Sequence, residues 1–153
     1  MDFESVDDVL LFAIEKEQEA AAFYREAAKS EIQEAAKTVF LDFAKEEDKH
    51  EQMIKDFMAD KSSIANYQFK KLDDLKRSDY MMDMEYKPGL TYFEIMRIAM
   101  KREEKSYKLY QNLSQSAESE ELASLFSVLA NEELKHKNGL ERIYDDYLAE
   151  RGD

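Results

Sequence analysis

The chain has 153 residues, 44% of them hydrophobic, with 3 glycines, 1 proline and no cysteine. That length predicts a single domain, residues 1–153, with enough residues to bury a core. The missing cysteines exclude disulfides, thiol catalysis, thiolate metal sites and iron–sulfur clusters, and a net charge of −13 speaks against nucleic acid or an anionic membrane as partner.

Strong helix formers throughout and little turn punctuation predict an all-α domain. The acidic start, Met1 to Asp8, lacks the basic flank of a signal peptide. No apolar run approaches the ~18 residues of a membrane span. The expected location is the cytoplasm.

Ser5 is placed to cap a first helix, with Asp7 and Asp8 in its first turn. The helix is predicted from about Val6 to Lys29. Its buried stripe reads Val6, Leu10, Ala13, Glu17, Ala20, Tyr24, Ala27, the alternating 4,3 spacing of a bundle seam. One glutamate stands in the middle of that seam, while Glu15 and Glu19 fall off it toward solvent. A short break near Ser30 predicts an antiparallel return. The second helix, from Gln33 to about Asp60, carries Ala36, Phe40, Phe43, Glu47, His50, Ile54 and Phe57. Again polar groups sit between large apolar ones.

Residues 61–90 form a long connection without a sustained helical period. Leu72 to Leu75 is read as a short helical turn. Tyr80 to Met84 is apolar enough to pack on the bundle, because methionine fills irregular gaps. A connection this long suits a crossover along the bundle. Lys87-Pro88-Gly89 makes a turn, and Thr91 with Glu94 forms a capping box. The third helix runs to about Leu113 with Tyr92, Met96, Ala99, Glu103, Ser106, Tyr110 and Leu113 on its stripe. The fourth runs from about Glu120 to Ala149 with Leu122, Phe126, Leu129, Glu133, His136, Leu140, Ile143 and Tyr147.

The four stripes are two stripes used twice. One offset of 86 positions carries Ala13, Glu17 and Tyr24 to Ala99, Glu103 and Tyr110. It also carries Phe40, Glu47, His50 and Phe57 to Phe126, Glu133, His136 and Ile143. The chain reads as a duplicated helical hairpin, residues 5–60 and 91–149, joined by the crossover. Each half is too small to bury its own seam. Two such hairpins make a four-helix bundle in which the mid-seam polar residues meet at one depth.

Both histidines of the chain lie in Glu-Glu-x-x-His motifs, at Glu46 to His50 and Glu132 to His136. On a helix, Glu47 with His50 and Glu133 with His136 each offer a carboxylate and an imidazole to one point. With Glu17 and Glu103 they make a six-residue set suited to iron, manganese or zinc. Four carboxylates out of water repel one another and are costly unless protonated or bound to cations. Two divalent ions cancel their charge. Glu46 and Glu132 fall one position off the seam and are assigned to the surroundings of the site or to solvent. Tyr24 and Tyr110, two turns after Glu17 and Glu103, are expected to hydrogen-bond a ligand carboxylate of the opposite half.

The pattern Glu17-x6-Tyr24, Glu47-x-x-His50, Glu103-x6-Tyr110 and Glu133-x-x-His136 resembles the rubrerythrin branch of the ferritin-like di-iron proteins. The resemblance spans nearly the whole chain. It implies two iron ions bridged by Glu47 and Glu133, with Glu17 and Glu103 as terminal carboxylates. It also implies a homodimer and an oxidoreductase that reduces hydrogen peroxide or dioxygen. Rubrerythrins proper carry a cysteine-ligated rubredoxin domain, so here the electrons would come from an external donor. They also use a further helix-three glutamate, where this chain has Ser106 relative to Glu103, or Tyr107 relative to Glu104. The site therefore looks like a symmetric six-ligand centre. Two alternatives are a ferroxidase or ferritin-like iron store, and a helical module with a structural metal site.

Overall fold

The computed structural model describes residues 3–30, 34–60, 69, 75–82 and 84–151. Four helices make up most of it: α1 (Val6–Ala28), α2 (Glu34–Ala59), α3 (Tyr92–Ser116) and α4 (Glu120–Glu150). Their starts are chemically marked. The Ser5 hydroxyl accepts from the Asp8 N–H at 3.1 Å, and the Ser119 hydroxyl accepts from Leu122 N–H at 3.2 Å. At α3, Thr91 accepts from Glu94 N–H at 3.1 Å while the Glu94 carboxylate accepts from Thr91 N–H at 3.0 Å. Each cap satisfies donors that the first helical turn leaves free. Ahead of α3, Gly89 takes a φ of 90°. That left-handed backbone is open to glycine at little cost, and it turns the chain after Pro88.

α1 packs chiefly along α2, and α3 along α4. Two helical hairpins thus lie side by side, as the duplicated seams require. The core falls into two apolar clusters. One gathers Val9, Leu10, Ile54, Leu113, Leu122 and Phe126, and the other Ala27, Phe40, Ile95, Met96 and Leu140. Tyr110 belongs to the first and Tyr24 to the second. Between the clusters lie the buried polar residues of the mid-seam positions.

The described residues of the crossover lie along α3 in the opposite sense. Phe69 forms an isolated bridge with Ala117, just past the end of α3. A 3-10 turn covers Arg77–Tyr80. There Arg77 pairs with Asp8 and lies over the Phe3 and Phe12 rings, and Asn112 donates to the Tyr80 hydroxyl at 2.9 Å. Met82, Met84, Tyr86 and Leu90 then pack on the second cluster near the start of α3.

Two details differ from the sequence reading. α3 continues three residues past Leu113, to Ser116. Serine usually competes with helical backbone, but the Ser114 hydroxyl donates to Ala123 O at 2.8 Å, so it bonds across the turn instead. The 3-10 turn at 77–80 falls in a stretch where no helix was expected. Of the expected turn at Leu72 to Leu75, residues 72–74 lie outside the described residues, as does Asp83 of the apolar run. Leu75 is buried. No helix among the described residues is long and apolar enough to cross a membrane.

The capping box is exposed and separate from the polar layer. Thr91→Ala should therefore lower the unfolding free energy of the metal-free protein by about 1 kcal/mol. Urea unfolding should show a lower midpoint with an unchanged slope. No shift in midpoint would mean that the cap is energetically idle.

Candidate metal centre

Each helix brings one part of the central layer. α1 carries Glu17 and α3 carries Glu103; α2 carries Glu47 and His50; α4 carries Glu133 and His136. All six side chains are buried. The i, i+3 spacing sets each glutamate and histidine on one face. His50 Nδ1 lies 2.9 Å from Glu133 Oε1, 3.4 Å from Glu47 Oε1 and 3.6 Å from Glu17 Oε2. His136 Nδ1 lies 3.1 Å from Glu47 Oε1 and 3.6 Å from Glu103 Oε1. The potential ligand atoms form two sets of four, Glu17, Glu47, His50, Glu133 and Glu47, Glu103, Glu133, His136. Within each set they lie within 4.8 Å of one another. Glu47 and Glu133 belong to both.

The two tyrosines reach across. Tyr24, on the first hairpin, donates its hydroxyl to Glu103 Oε1 on the second. Tyr110, on the second, donates to Glu17 Oε1 on the first at 2.5 Å. Tyr110 takes Glu17 Oε1 and leaves Oε2 facing His50, whereas Tyr24 takes Glu103 Oε1, the oxygen that also lies 3.6 Å from His136 Nδ1. Burial, followed by the nearby carboxylates Glu103 and Glu47 for Tyr24 and Glu17 and Glu133 for Tyr110, raises both phenol pKa values well above normal. Both hydroxyls therefore remain donors.

The electrostatics are those of charge forced out of water. Burial, then repulsion by the neighbouring carboxylates, pushes Glu47 and Glu133 well above the usual carboxylate range. For Glu103 burial opposes ionisation, but the adjacent Glu133 and His136 side chains, the charge on His136 and the Tyr24 hydroxyl outweigh it and lower its pKa. Burial acts against protonating His50, yet Glu133 and Glu17 raise it to about 10. His136 is raised as well, by Glu103 and Glu46 against the pull of burial.

The fourfold layer repeats the seam positions of the sequence, and Glu15 and Glu19 are exposed as expected. Sequence reasoning did not separate Glu46 from Glu132. The Glu46 carboxylate bonds His136 Nε2, whereas Glu132 pairs with Lys135 at 3.4 Å. It also gave Phe43 only a seam position. That ring stacks on His136 with centroids 4.1 Å apart and planes 20° from parallel.

A family model for rubrerythrin matches residues 8–144. Among solved structures the chain is similar to a dodecameric thioferritin, the bacterioferritin-related protein of Bacteroides fragilis. That likeness has a TM-score of 0.71 at 17% identity and covers 94% of this chain and 86% of that one. A putative ferritin-like diiron-carboxylate protein of Thermotoga maritima aligns with a TM-score of 0.67 and 20% identity, over 94% of this chain and 96% of that one. A hypothetical protein of Pyrococcus furiosus aligns with a TM-score of 0.69 and 25% identity, over 92% and 89%. These likenesses show a ferritin-like bundle. No curated protein matches the chain.

Without metal, the folded layer holds protons that the unfolded chain gives up. Raised pKa values at Glu47, Glu133, His50 and His136 stabilise the fold below the unfolded values, and that contribution is lost as pH rises. For His50 the loss spans 6.5 to about 10. Glu103 acts with the opposite sign, but only below the ordinary carboxylate range. The melting temperature of metal-free protein should therefore fall between about pH 6 and pH 9, and bound divalent metal should flatten the slope. A melting temperature that rises over that interval would contradict these shifts.

Proposed function

Because the chain belongs to the rubrerythrin family, we propose that its buried carboxylate–imidazole layer is a di-iron centre that reduces hydrogen peroxide with electrons from a separate donor. Seven buried atoms carry this reading: Glu17 Oε2, Glu47 Oε1, His50 Nδ1, Glu103 Oε2, both carboxylate oxygens of Glu133, and His136 Nδ1. They face one another and have no hydrogen-bond partner. Buried polar atoms are normally paired, and an unpaired buried carboxylate is expensive. A shared cation satisfies oxygen and nitrogen lone pairs together, so the donor set fits two divalent ions.

Glu17 and His50 would hold one ion and Glu103 and His136 the other, with Glu47 and Glu133 bridging. Bound as an Fe(II) pair, the metal would supply two electrons, which with two protons convert one hydrogen peroxide into two waters. The chain's own residues do the rest. Tyr24 and Tyr110 hold the terminal carboxylates from behind. The apolar residues above and below, Phe40, Ile54, Phe126 and Leu140 among them, limit water around the layer and strengthen its electrostatics. We assign the working form to a homodimer, which size-exclusion mass tests directly.

Iron-loaded protein should contain about two irons per chain by elemental analysis. Glu47→Ala or Glu133→Ala should abolish two-metal occupancy, since each would bridge. Fewer than about one metal ion per wild-type chain would end the di-metal reading, and zinc or manganese would keep the ligand set but change the redox claim.

In stopped-flow absorbance, the reduced protein should react faster with hydrogen peroxide than with dioxygen and keep its iron through desalting. Faster reaction with dioxygen, with iron accumulating well beyond two per chain, would assign the protein to ferroxidase and storage instead. Tyr24→Phe and Tyr110→Phe should retain two metals but bind them more weakly, by roughly 10-fold.

A further inference from the structure

The chain departs from its own repeat around one histidine. The 86-position offset pairs Phe43 with Leu129 and Met53 with Gly139. Phe43 lies flat on His136. Gly139 lies beneath the same ring, where a Cβ would sit in ordinary van der Waals contact, 3.5 Å from Phe43 Cζ. The His136 ring also runs nearly parallel to that of His50, at 5.9 Å and 17°. The ring is thus held in plane, and its outer edge meets Glu46.

Glu46 then fixes the ring's chemistry. A carboxylate accepts only, so His136 Nε2 must donate to it. In the neutral ring that leaves Nδ1 as a lone pair aimed at Glu47 and Glu103. The counterpart Glu132 has the same sequence context but pairs with Lys135. His50 has no such carboxylate from Glu132 on its outer edge.

We propose that Glu46, seated by the Phe43–His136 stack, is a positioning residue that ranks the two half-sites. The half holding Glu103 and His136 takes its metal ion first and more tightly than the half holding Glu17 and His50. This rests on the metal-centre reading above. A carboxylate behind a ligating histidine fixes its tautomer and makes it a stronger donor, and removing such a partner typically weakens metal binding 10–100-fold.

Glu46 is open to substitution. Its side chain is 44% exposed and borders a surface cavity of about 360 Å³ that reaches His136. Truncation there enlarges space already open to solvent and does not create a void in the core.

The test is a titration of metal-free protein with Co(II), followed by its visible absorption. The wild type should fill in two resolved steps about 10-fold or more apart. Glu46→Ala should weaken the tighter step by at least about 10-fold and merge the two, with unchanged helical circular dichroism. Glu46→Gln, which still accepts the bond but carries no charge, should fall between. Phe43→Leu, which restores the repeat, should shift the tighter step in the same direction. Glu132→Gln should titrate like the wild type.

A second readout uses Zn(II)-loaded, 15N-labelled protein. With only two histidines, its two Nε2–H protons are resolved and assigned by one variant. The His136 proton should lie at lower field and exchange more slowly. Glu46→Ala should move it upfield while His50 stays in place.

Two bound cobalt ions with Glu46→Ala indistinguishable from the wild type would overturn the ranking and leave the metal centre standing. An equal loss in Glu132→Gln would do the same. No cobalt bound by the wild type would overturn both readings.

Discussion

Four carboxylates and two imidazoles share one dry layer, and the rest of the molecule is arranged around that fact. Taking a single ion out of water costs on the order of several kcal/mol even after relaxation. The layer escapes that cost only by protonation, by mutual bonding or by cations. Raised pKa values at Glu47 and Glu133 are the metal-free form of the same pressure that favours metal. Apolar clusters above and below keep the layer dry and thereby maintain it.

The layer also joins the two halves of the duplication. Helical hairpins could in principle slide or separate, since seam packing alone tolerates small shifts. The paired bonds from Tyr24 to Glu103 and from Tyr110 to Glu17 run in opposite directions across the interface. Together they fix the depth of each hairpin against the other. The described residues of the crossover add ties to α1 through Arg77 and Asp8 and to the end of α3 through Phe69. Site geometry and hairpin docking are therefore one constraint.

Symmetry is strong in the seams and broken at their edges. Phe40 and Phe126 occupy equivalent buried positions, as do Glu47 and Glu133. Phe43 against Leu129 and Gly139 against Met53 are not equivalent, and the difference gathers on His136. The buried carboxylates and imidazoles answer to charge balance, and the residues around them to packing, so the two halves differ in their surroundings while sharing one polar layer.

The sequence by itself determined the helices, the seams and the six buried polar residues. Heptad-like spacing is a local signal, and a glutamate in the middle of an apolar stripe is visible without coordinates. The repeat even made the cross-hairpin tyrosine bonds legible, because a buried phenol needs an acceptor and the facing half supplies one at matching depth. Tertiary structure alone decided between Glu46 and Glu132. Both precede a buried glutamate and both sit one position off the seam, so their local patterns are the same. The choice depends on where His136 turns its outer edge, and that ring is stacked against Phe43 of another helix. The 3-10 turn at Arg77–Tyr80 was hidden for a similar reason: it follows from Arg77 meeting Asp8 and Phe12 across the fold, contacts that no local periodicity encodes.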